Sequence, residues 1–141
     1  LSLDKGSNYN KMTVWYEGLK SGAKVAPGVV VHSEDTESII LGKDYALYAD
    51  PTDNPSAQNF QIYTGLLFPN GVEKTVMRPI EGAPGAAGHL LGIRNIKNNE
   101  KYTYYFGSAW SKNDVRSLAE WKLRSEETLA ALQTPLTVVV E

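Results

Sequence analysis

Apolar and polar residues alternate with a period of two along much of the chain. Between Asn10 and Glu17, Met12, Val14 and Tyr16 alternate with Thr13, Trp15 and Glu17, which predicts a strand with one apolar face. Pro27 opens the run Gly28–His32, a more buried strand. Ser38–Leu41 and Tyr45–Ala49 flank Gly42-Lys43-Asp44 as a hairpin, and Asp50–Ala57 follows as a loop with two prolines. Phe60–Phe68 is a further strand, closed by the turn signal Pro69-Asn70-Gly71. Val72–Arg78, His89–Ile96 and Tyr102–Phe106 complete the alternating segments, with a Gly/Ala-rich loop over Gly82–Gly88.

The period changes once. Ser117-Leu118-Ala119-Glu120 has the form of a helix capping box. Leu118, Trp121, Leu129 and Leu132 then recur on one helical face, and Pro135 ends the helix. Leu136–Val140 reads as a last strand. About eight or nine short strands and one late helix predict a mainly β protein, an antiparallel β-sandwich with one helix in the C-terminal region. A closed barrel is the alternative. No repeat or linker divides residues 1–141, which predicts a single domain.

Length agrees with one domain, since 141 residues suffice to bury a core without staples. The absence of cysteine removes disulfides and thiolate chemistry. Lys+Arg is 14 and Asp+Glu is 16, a net charge of −2, so the basic excess of a nucleic-acid binder is missing. No apolar run approaches the roughly 20 residues of a membrane span. The chain opens at Leu1 without a leader pattern, as a mature or excised piece would.

Candidate chemistry is sparse. His32 ends one apolar strand and His89 begins another, so both fall at a sheet rim. Each is equally readable as a hydrogen-bonded rim residue, and without a His-x-His pair no metal site is expected. Asp50 and Asp53 bracket Pro51-Thr52, a pattern that turn chemistry explains at least as well as a catalytic carboxylate pair. Glu34, Asp35 and Glu37 form an acidic turn that lacks the ligand spacing of a calcium loop.

The segment Tyr102–Lys112 is the richest. Tyr102, Tyr104 and Phe106 share one face and Tyr105 takes the other, with Trp110 after small residues. Trp110 is readable as a sugar-stacking platform or as a ring packed under the helix. Arg94 and Lys112 are cations suited to a carboxylate. Nucleophile-elbow, phosphate-loop and dinucleotide motifs are absent. Elimination on a uronic-acid polymer needs only a base and a cation near the carboxylate, and Tyr105, His89, Arg94 and Lys112 are residues of the right type.

Several blocks resemble a bacterial domain family of unknown function, numbered 4861. They are Gly6–Val14, Tyr48–Asp53, Gly88–Gly92, Tyr104–Lys112, and Pro135–Val138 after the helix. The resemblance implies a mutarotase-like β-supersandwich in bacterial polysaccharide-degrading systems, beside unsaturated-uronyl hydrolases and pectin-type enzymes. It implies a family unit about twice this length, of which this chain matches the C-terminal half. It carries over no catalytic residues. Within the stretch it spans, His89, Tyr105 and Asp50 are the catalytic candidates, and His32, Arg94, Trp110 and Lys112 are the substrate-binding ones.

Together these readings predict a periplasmic or extracellular carbohydrate-active domain that binds or acts on an acidic glycan, without metal or cofactor. The alternative is a non-catalytic binding or accessory module of a larger enzyme. A third expectation is a half-domain whose exposed sheet edge pairs with the remainder of a larger polypeptide or with a second copy.

Overall fold

A computed structural model of the chain describes residues 1–33, 35–51 and 60–136. In chain order the elements are β1 (Ser2–Leu3), β2 (Tyr9–Val14), β3 (Lys24–Val25), β4 (Gly28–Val31), a short 3₁₀ turn (Thr36–Ser38), β5 (Ile39–Leu41), β6 (Tyr45–Pro51), β7 (Gln61–Leu67), β8 (Lys74–Pro79), β9 (Gly88–Asn95), β10 (Tyr102–Trp110) and α1 (Leu118–Gln133). All strand pairs among the described residues are antiparallel. A large sheet has the order β1-β2-β10-β7-β6-β5. In a small sheet β9 lies at the centre, with β3 and β4 along one edge and β8 on the other. Two separate sheets make this a sandwich and not a closed barrel.

Alternation in the large sheet buries both of its faces. Leu47, Tyr63, Leu67 and Ala109 meet Trp121 and Leu129 of α1. One residue along, Ala46, Tyr48, Leu66 and Tyr102 face the small sheet, where they pack with Val25, Val31, Leu90 and Ile96. The layers are therefore helix, large sheet, small sheet. The near-continuous apolar run of β7 follows from this double coverage. Gly92 sets the closeness of the sheets, because a Cβ there would lie 2.2 Å from the Phe68 ring.

The helix begins where the capping signal predicts. Ser117 Oγ accepts from the Glu120 N–H at 3.1 Å, although the Glu120 carboxylate accepts from Arg116 N–H instead of closing the box on Ser117. Trp121, Ser125 and Leu129, spaced by four, form its buried stripe. The Trp121 ring stacks on Tyr9 at 5.0 Å, and its Nε1–H donates to the Thr64 carbonyl at 3.0 Å. The tryptophan buried between helix and sheet is thus Trp121 of α1 itself, and not Trp110.

The strand expected over Asn10–Glu17 ends at Val14 and that over Val72–Arg78 runs from Lys74 to Pro79, and two further boundaries that differ bear on the candidate site. The strand expected over Tyr102–Phe106 continues to Trp110, because Gly107–Trp110 pair with Ile62–Gly65 of β7. Asp50 and Pro51 belong to β6 and not to the following loop, because they pair with Ile62 and Gln61. Asp53, Glu34 and most of the expected strand Leu136–Val140 lie outside the described residues.

Candidate functional site

The ends of β6, β7 and β10 lie side by side, and their register defines one row. Asp50 is opposite Ile62, and Ile62 is opposite Trp110. Directly opposed residues share a face, here the one toward the small sheet. Asp50 and Trp110 are two strands apart, roughly 10 Å between backbones.

At one end of the row, His32 follows β4 and reaches across to β6. Its Nδ1 is 2.9 Å from Asp50 Oδ1, with 47% of the imidazole and 18% of the carboxylate side chain exposed. The backbone N–H groups of His32 and Ser33 both donate to the buried Tyr48 hydroxyl oxygen at 3.1 Å, which pins this segment to β6. Burial, reinforced by the nearby Asp50 charge, holds the Tyr48 hydroxyl above the ordinary phenol range against those two N–H donors. A carboxylate only accepts, so Asp50 fixes the proton of neutral His32 on Nδ1 and makes Nε2 the ring's acceptor.

At the other end, Trp110 is 38% exposed and Phe60 42% exposed. Their rings meet edge to face at 6.5 Å. The Lys112 ammonium sits 5.2 Å from the Phe60 centroid and 5.8 Å from that of Trp110, within cation–π range. Phe60 has φ +56°, a conformation rare for a bulky residue. Gln61 N–H donates to Ser111 Oγ and Ser111 N–H to the Gln61 carbonyl, both at 2.9 Å, which ties the start of β7 to the end of β10.

Asp114 anchors the turn beneath Trp110. Its Oδ2 accepts from Asn8 Nδ2 at 2.7 Å and from Arg124 Nη1 at 3.2 Å. Burial pushes this carboxyl up, but the Asn8 amide, the Trp110 N–H and the Arg124 charge outweigh it and hold the carboxyl below the usual range. A depressed folded-state pKa means stability that is present above the unfolded carboxylate value and lost as pH falls through the folded one. Asp114→Asn is expected to cost about 1–2 kcal/mol at neutral pH. In urea titrations that difference should shrink as pH falls through and below the ordinary carboxylate range.

The other predicted residues are not brought to this rim. His89 lies opposite Val30 and Arg78 on the outer face of the small sheet, since its neighbour Leu90 points into the core. Tyr105 packs on the helix side of the large sheet with the Tyr9–Trp121 cluster. Arg94 is occupied by Glu100 at 2.9 Å and the Asn70 carbonyl at 2.6 Å, and it lies 4.9 Å over the Tyr102 ring. The elimination set of Tyr105, His89, Arg94 and Lys112 is therefore spread over several surfaces and does not form one site. The structure joins His32, Asp50, Trp110 and Lys112 instead. It adds Tyr48, which alternation already puts on the Asp50 face, and Phe60, an aromatic at a loop–strand boundary.

The fold is an antiparallel sandwich backed by one helix, with an aromatic–cation cluster and a His–Asp pair on one rim. The chain belongs to the family described as a domain of unknown function, DUF4861, whose model matches residues 1–138. No curated protein and no solved structure matches it.

Proposed function

We propose that this rim binds an acidic, uronic-acid-containing glycan outside the cytoplasm, and that His32 acts on the bound sugar. The supporting observation is the Asp50–Ile62–Trp110 row, which sets an oriented imidazole and an aromatic–cation cluster about 10 Å apart on one face. The indole gives the C–H face of a pyranose a flat apolar surface. Lys112, with no carboxylate partner among the described residues, gives the uronate a counter-charge.

His32 Nε2 is the base. In an elimination it takes the proton beside the uronate carboxyl, and the released electron pair forms the new carbon–carbon double bond. The glycosidic C–O bond breaks, and the leaving oxygen gains a proton from water. Asp50 is a positioning residue that holds the tautomer and the resulting imidazolium. The alternative, a binding module without turnover, is supported by the engagement of both titratable groups beside His32: Asp50 pairs with its Nδ1, and the buried Tyr48 hydroxyl accepts from the His32 and Ser33 N–H groups.

Calorimetric titration with oligouronides separates these readings. Trp110→Ala is expected to weaken binding roughly ten-fold. Lys112→Gln should remove the preference for uronides over their carboxyl-reduced counterparts. His32→Ala should leave affinity nearly unchanged but abolish the absorbance of the unsaturated product. Unchanged uronide affinity in both the Trp110 and Lys112 variants would contradict the proposal. Binding without any product in the wild type would select the module reading.

A further inference from the structure

A second cleft lies on the same face of the large sheet, toward the opposite end of β10. Its volume is about 380 Å³, and Val14, Tyr16, Lys24, Pro27, Ile96 and Tyr104 line it. It forms where the small sheet parts from β2 and β10, between the Val14–Tyr104 side of the large sheet and the Val25–Pro27 corner. Tyr104 and Trp110 are six residues apart in one strand, so they share a face at a separation of about 20 Å. Between them on that face, Phe106 is half-buried and Ser108 is exposed.

The lining includes two tyrosines, Tyr16 and Tyr104, a residue type that combines an apolar ring with a phenol hydroxyl. A pyranose has the same mixed character, with apolar C–H faces and polar edges. Tyr16 is 43% exposed, and its carbonyl accepts from the Asn99 N–H at 2.8 Å, which fixes the backbone from which the ring projects. The one cation in the lining, Lys24, is neutralised by Glu73 at 2.6 Å. The cleft therefore suits a sugar ring without demanding a charge on it.

We infer that the Tyr16–Tyr104 cleft is a second sugar subsite, so that one glycan chain lies along β10 from Tyr16 to Trp110. This rests on the glycan reading of the rim and deepens it. Charge is sensed at Lys112 and chain length at Tyr16. The substrate class is then an extended oligomer or polymer, not a mono- or disaccharide.

The test compares diuronides with hexauronides of the galacturonate, mannuronate and glucuronate series by calorimetry. The wild type should bind the longer member of its preferred series more tightly. Tyr16→Ala should lower hexauronide affinity roughly ten-fold and leave diuronide affinity unchanged, whereas Trp110→Ala should weaken both. Tyr104→Phe, which keeps the ring packing, should show a smaller loss confined to the hexauronide. Equal affinity at both lengths, or a Tyr16→Ala effect that is absent or the same at both lengths, would overturn the second subsite and leave the rim reading standing. No binding of any uronide at either length would overturn both.

Discussion

Replacing Trp121 by Ala is expected to remove about 3–5 kcal/mol of stability, a large share of the typical margin of a small domain. The side chain is fully buried in the cluster between α1 and the large sheet. Truncation leaves a cavity against Leu47 and Tyr9 and removes the 5.0 Å stack on the Tyr9 ring. It also removes the indole N–H that donates to the Thr64 carbonyl. The neighbouring bond between the Tyr9 hydroxyl and Ser125 Oγ, 2.6 Å long, loses the packing that holds it in place. Urea unfolding of this variant should show the loss, whereas Trp110→Ala, at a half-open rim, should change stability far less. Equal losses at Trp110 and Trp121 would contradict the placement of the two rings.

Gly107→Ala, a single-methyl addition in β10, is expected to cost about 2–3 kcal/mol. A Cβ at this position would lie 2.3 Å from the Asn8 carbonyl oxygen and 2.7 Å from Tyr9 Cδ1. The first neighbour is backbone, so relief requires β2 to move away from β10, not merely a rotamer change. Asn8 also holds Asp114 and Arg124, so the displacement should reach the turn that carries Trp110. Thermal or urea unfolding checks the stability loss, and Trp110 fluorescence checks the transmission. A change within about 0.5 kcal/mol would show that β2 has slack which the close approach denies.

Much of the fold is legible in sequence because its determinants are local. Alternation locates β2, β6, β7 and β9, and Ser117, Glu120 and Pro135 bound the helix. The pairs β1 and β3, two residues each, are too short to have a period. The extension of β10 is hidden because Gly107-Ser108-Ala109 interrupts the aromatic pattern, and only pairing with β7 makes those residues a strand. Asp50 is misplaced by the same logic: Asp-Pro-Thr-Asp is a strong local turn signal, overridden at its first two residues by β6–β7 pairing.

The site shows the same division. His32, Asp50, Trp110 and Lys112 stand out singly as residue types, but their union depends on the register of three strands distant in sequence. Arg94 reads as an available cation until its guanidinium is found engaged by Glu100 and a carbonyl. Tyr105 and Trp110 differ by five positions in one strand, and that odd number puts them on opposite faces. His89 fails for a similar reason, since a one-residue offset from Leu90 turns it out of the sandwich.

The most direct measurement is an NMR titration of the protein with a hexauronide, following the Trp110 indole and the histidine ring resonances. The Trp110 indole and His32 ring signals should shift together and saturate at one dissociation constant, with His89 unmoved. Shifts centred on His89, or silence at both Trp110 and His32 while the sugar binds, would contradict a glycan site on this rim.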